Sequence, residues 1–81
     1  MAWNGLKSRF PHSGNFWGVV DPDGAWIDSS TQFATAVHWA CMDAGYTDLT
    51  PDEELGIVNR LGYSIIRSTH LKQMADAGLV K

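Results

Sequence analysis

Four residues constrain this chain more than any others: Asp21-Pro22-Asp23-Gly24, set between two short runs of strand formers. Pro presets the backbone at the first central position of a turn. Asp is tolerated at the second, and Gly accepts the left-handed conformation that lets the chain reverse. Phe16-Trp17-Gly18-Val19-Val20 leads into the turn and Ala25-Trp26-Ile27 leads out of it, both rich in aromatic and β-branched residues. A β-hairpin over 15–28 is the expectation. A two-stranded ribbon is marginal by itself in water, so this one needs other elements to lie against.

The sequence supplies three helices for that purpose. Ser29, Ser30 or Thr31 can cap the first, whose apolar positions Phe33, Ala36, Val37, Ala40, Cys41 and Ala44 follow the spacing of a core-facing stripe, with Gly45 as its stop. Thr50-Pro51-Asp52-Glu53 opens the second: Thr as cap, Pro at the first helical position, Glu three residues after the cap. Leu55, Val58 and Leu61 form its apolar stripe and Gly62 ends it. Residues 63–80 read as a third amphipathic helix starting near Ser64, with Ile66, His70 or Leu71, Met74 and Ala77 inward and a Schellman stop at Gly78-Leu79. The fold class is therefore α+β: an N-terminal hairpin packed on three helices, the last two in a helix-turn-helix-like arrangement. One domain spans 1–81, comprising an irregular arm over 1–14, the hairpin over 15–28 and the three-helix part over 31–80. Trp3, Leu6 and Phe10 are the arm's means of attachment.

The chemistry that the chain can support is narrow. Cys41 is the single cysteine, so no internal disulfide forms, and it lies on an apolar stripe where a thiol behaves as a small hydrophobe. His38 and Cys41 are one helical turn apart, but two ligands do not make a structural zinc site, and the same pair is too buried for a nucleophilic dyad. Asp21, Asp23 and Asp28 do not fit a calcium loop, because Gly24 comes too early and no Glu follows at the right distance. No phosphate-binding loop, nucleophile elbow or paired-carboxylate pattern is present. The expectation is a non-enzyme with no cofactor and no metal. The N-terminus lacks an apolar run and no stretch is long enough to span a bilayer, so no membrane role and a cytoplasmic location are expected.

Thr69-His70-Leu71-Lys72 followed by Ala77-Gly78-Leu79-Val80 resembles the recognition helix of winged-helix transcriptional regulators, with the family's β-wing absent. In that family the helix enters the DNA major groove. The resemblance implies a small DNA-binding regulator, with a homodimer as its natural state. Ser64, Arg67, Ser68 and Lys72 would face nucleic acid, joined by Gln73, and Leu71, Met74 and Leu79 would occupy core positions.

Charge points to a different partner. Residues 21–59 hold Asp21, Asp23, Asp28, Asp43, Asp48, Asp52, Glu53 and Glu54 without a Lys or Arg, and the formal net charge is −3. Duplex binding needs several cationic contacts to displace counterions, and acids repel phosphates. The leading expectation is a small acidic interaction protein of the sort encoded by phages or mobile elements. It blocks a host nucleic-acid-processing complex by protein–protein contact. Asp48, Asp52, Glu53 and Glu54 form its partner-binding face, and exposed aromatics among its four Trp anchor the contact.

Overall fold

The computed structural model describes residues 15–80. The arm expected over 1–14 lies outside the described residues. Strand β1 (Trp17–Val20) pairs antiparallel with β2 (Trp26–Ser30) across the expected turn. The Gly24 N–H donates to the Asp21 carbonyl at 2.9 Å, and Gly24 has φ +86°. The Asp21 carboxylate accepts from the backbone N–H of Asp23 and of Ala25, at 3.0 and 2.9 Å, so one side chain ties together both ends of the reversal.

Pairing shifts between Val19 and Val20, which face Asp28 and Trp26 and leave Ile27 as the extra residue of a bulge. The bulge decides what the sheet faces carry. Residues three apart on a regular strand point to opposite faces, yet here the Trp26 indole N–H reaches the Ser29 hydroxyl at 2.9 Å and the Asp28 carbonyl at 3.0 Å. Ile27 is thereby freed to pack on the other side.

Among the described residues, three helices complete the α+β fold: α1 (Phe33–Asp43), α2 (Pro51–Leu61) and α3 (Ser68–Asp76). The Thr50–Glu53 capping box is formed in both directions, with Pro51 at the first position. Each helix ends where the sequence places a glycine, at Gly45, Gly62 and Gly78, all left-handed. The residue after each glycine donates back to the carbonyl five residues earlier: Tyr46 to Cys41, Tyr63 to Val58, Leu79 to Met74. That is the Schellman bond. The cap of α1 differs from expectation. Ser29 and Ser30 belong to β2, and the cap position is Gln32, with no side-chain bond to the helix.

The main departure lies between Gly62 and Ser68. Residues 64–67 are not the first turn of the last helix. They form strand β3 (Ser64–Arg67), antiparallel to β1, in a sheet of order β2-β1-β3. The Gly62 turn thus delivers the chain into a strand, and the last two helices are not joined directly. Adjacent β-branched residues explain the choice. On a strand, Ile65 and Ile66 point to opposite faces, and both faces of this sheet are covered. Ile65 packs into a cluster of Val19, Ala36, Val37, Ala40, Cys41, Ile57 and Val58 on the α1 side. Ile66 packs into a second cluster, Phe16, Val20, Trp26, Leu71 and Val80, on the α3 side. The sheet is the middle layer, with α1 across all three strands on one face, α3 against β1 and β3 on the other, and α2 against α1.

Gly18 permits the α3 layer. A Cβ at this position would lie 2.1 Å from Leu71 Cδ2 and 3.2 Å from the Trp26 indole nitrogen. Leu71 is fully buried on the bare backbone of β1.

Candidate functional site

The residues expected to meet a partner fall into two groups. The acidic group sits at the start of α2 and in the loop before it. Asp48, Asp52 and Glu53 are exposed. Asp48 adopts φ +60°, a left-handed conformation that Asp tolerates better than most residues. Asp52 and Glu53 occupy the first turn of α2, where acids complement the helix dipole. Glu53 accepts the Thr50 N–H, and this bond, with the one Thr50 returns, holds its carboxyl below the usual carboxylate range.

Glu54 departs from the group. It is buried, on the side of α2 that meets α1, and its Oε2 lies 2.7 Å from His38 Nδ1. With the carboxylate ionised it can only accept, so Nδ1 carries the proton. Its backbone carbonyl accepts from the Cys41 thiol at 3.5 Å. Burial raises the Cys41 pKa, and the Glu54 charge adds to the effect. Glu54 is therefore a helix–helix tie rather than part of an open acidic face. Its place in the buried stripe also turns α2 away from the expected orientation. Ile57 and Val58 enter the core, while Leu55 and Leu61 are exposed.

The consequence is a cleft that the sequence reading did not contain. Phe33, Ala34 and Val37 of α1 face Pro51, Glu54 and Leu55 of α2 around a volume of about 110 Å³. Phe33 is 42% exposed and Leu55 40%. Phe33 is braced edge-on by Trp17, with ring centroids 5.0 Å apart. Farther along α1, Trp39 and Met42 are exposed, as is Tyr46 beyond the helix end. A signal for this orientation of α2 was present in the spacing of Glu54, Ile57 and Val58, which places them on one face of a helix. The charge at its first position obscured it.

The nucleic-acid group is dispersed. Ser64 and Arg67 are exposed on β3 and Lys72 is exposed on α3. Ser68 is only 3% exposed, and its hydroxyl accepts the Phe16 N–H at 3.4 Å, so it does not face outward as the resemblance implies. It holds the start of α3 to the start of β1. The Arg67 guanidinium lies 5.0 Å over the Trp17 ring, which packs with the α1-side cluster. The Lys72 ammonium lies 5.7 Å over the ring of Phe16, in the α3-side cluster. The two cations are anchored to rings on opposite faces of the sheet, where they do not form one stripe. Gln73 is exposed, and so is Leu79, which the resemblance places in the core.

Among the described residues, no three His, Cys, Asp or Glu come together as a metal site, and no helix is long and apolar enough to cross a membrane. No family model, curated protein or solved structure matches the chain.

Proposed function

We propose that this chain is a small non-enzymatic interaction protein whose acidic α1–α2 side binds a basic protein surface, of the kind with which nucleic-acid-processing complexes hold their substrate. By occupying that surface it blocks the complex. The carrying observation is the co-location of exposed apolar side chains with one sign of charge. Residues 33–61 expose Asp43, Asp48, Asp52 and Glu53 against Arg60 alone. On the same pair of helices Phe33 and Leu55 stand open to solvent. Apolar anchors supply most binding energy at protein interfaces, while surrounding charge sets the encounter rate and excludes wrong partners. The burial of Ser68 and the separate anchoring of Arg67 and Lys72 support the same choice over a DNA-reading helix.

The test is capture of partners from the native host in the presence and absence of competing duplex DNA. The reading predicts a protein released by the nucleic acid and lost when Asp48, Asp52 and Glu53 are all changed to Lys. A captured protein indifferent to both changes overturns it.

A further inference from the structure

The two edges of the sheet are not alike. Phe16 directs its backbone toward β3, where its carbonyl accepts the Ser68 N–H at 2.9 Å. Backbone groups alternate in direction along a strand, so Gly18 and Val20 also bond to β3, through Ile66 and Ser64 opposite them. Trp17 and Val19 bond to β2 instead, through Ser30 and Asp28. Ser29 therefore points outward on β2, and its N–H is already taken by the Asp28 carboxylate at 2.8 Å. On β3 the outward residues are Ile65 and Arg67. No described residue bonds to their N–H groups or to the Ile65 carbonyl. One edge carries its own acceptor and the other is open. Burial agrees: β1 is buried from Gly18 to Val20, whereas Ile65 and Ile66 are only half-buried although helices pack on both faces of the sheet.

A second copy of β3, antiparallel about a two-fold axis at Ile65, matches this edge group by group. The two Ile65 residues exchange their N–H and carbonyl bonds. Arg67 of each copy falls opposite Tyr63 of the other, and its N–H meets the Tyr63 carbonyl. The remaining two groups of that pair are engaged within each chain: the Tyr63 N–H donates to the Val58 carbonyl at 3.1 Å, and the Arg67 carbonyl, at the cap of α3, accepts inside the helix. Groups that need a partner thus meet one, and engaged groups meet engaged groups. Side chains on the α1 face agree in charge. The Tyr63 hydroxyl holds the Asp43 carboxylate at 2.6 Å, so the Arg67 guanidinium of the second copy arrives beside a ring and an acid. We infer that the β3 edge pairs with β3 of a second copy, giving one six-stranded sheet of order β2-β1-β3-β3-β1-β2. This goes beyond the proposed function and does not depend on it.

The test is sedentation equilibrium of the full-length chain, with amide hydrogen exchange read by NMR at low and high protein concentration. A reversible dimer is expected, with the Ile65 and Arg67 amides gaining protection as it forms. Arg67→Pro removes one outward N–H per copy and leaves the ladder to β1 untouched, because Arg67 already has φ −65°. It should weaken the dimer by about tenfold or more, and by more than Arg67→Ala, which keeps the N–H. In a mixture of labelled and unlabelled wild type, a contact between the α-protons of Ser64 in one copy and Ile66 in the other reports the register without any variant. A chain that stays monomeric up to about 1 mM overturns the inference. So does a dimer that protects other amides, lacks the Ser64–Ile66 contact, or is unchanged by a folded Arg67→Pro.

Discussion

Gly18→Ala should be among the most damaging small changes in this protein, although it adds a single methyl group. The new Cβ would lie 2.1 Å from Leu71 Cδ2, where ordinary carbon–carbon contact is about 3.5–4.0 Å. One of the two must therefore move by about 1.5 Å. Leu71 has little room to do so. It is fully buried between β1 and α3, its Cγ is only 3.5 Å from the same Cβ, and that Cβ would also lie 3.2 Å from the Trp26 indole nitrogen. Rotating Leu71 leaves its rotamer well, and lifting α3 opens the cluster of Phe16, Val20, Trp26 and Val80. Overpacking of this kind costs about 1–3 kcal/mol, and the depth of the overlap places this case in the upper half. Leu71→Ala alone should cost about 2–5 kcal/mol through its cavity. In the double variant the added methyl occupies part of that cavity, so the combined loss should fall short of the sum by 1 kcal/mol or more, on the order of couplings between touching residues. Urea unfolding of all four proteins, followed by Trp fluorescence, measures the coupling. Additivity within about 0.5 kcal/mol would refute the contact on which the α3 layer rests.

Other consequences can be checked on the same material. Removing the imidazole in His38→Ala strips the buried Glu54 carboxylate of its 2.7 Å partner. It should cost about 1 kcal/mol, low in the usual range because the His38 side chain is 47% exposed and water replaces part of the bond. Tyr63 donates to Asp43 at 2.6 Å, and burial, followed by that bond and the nearby acids, pushes its pKa up to about 12. A group raised in the folded state contributes stability below its unfolded pKa, here about 10, and loses it as pH climbs toward 12. Wild type should lose stability over that window more steeply than Tyr63→Phe in pH-dependent urea melts. Cys41 should react with a thiol reagent far more slowly in the native protein than in urea, since burial keeps the thiol both covered and protonated.

The parts of this fold that sequence reveals are the ones decided within a few residues. The turn at Asp21-Pro22-Asp23-Gly24, the Thr50–Glu53 capping box and the three glycine stops each answer to local bonding, and each is where the sequence places it. Strand β3 is different. Its four residues run into α3 without a Pro or Gly to separate them, and only pairing with β1, over forty residues earlier, makes them a strand. The adjacent isoleucines were the available signal, because a helix places such a pair near one side while a strand divides it between two cores. Glu54 was misplaced for a related reason. Charge argues for the surface until a partner is known, and His38 lies on another helix. With Glu54 inward, α2 is rotated so that Ile57 joins Val58 in the core and Leu55 is left beside the cleft. Of the DNA-facing residues, Ser68 was the one whose role turned over, since its hydroxyl is used in the junction of β1 with α3.

Whether the chain works through acids or through the cations on β3 and α3 is decided most directly by fluorescence anisotropy with labelled duplex DNA at low salt. At low ionic strength even weak phosphate contacts are amplified, so a negative result there is stringent. No saturable binding by wild type is expected, and none created by Arg67→Ala or Lys72→Ala. Salt-sensitive binding by wild type, lost on Arg67→Ala with the fold intact, would contradict it.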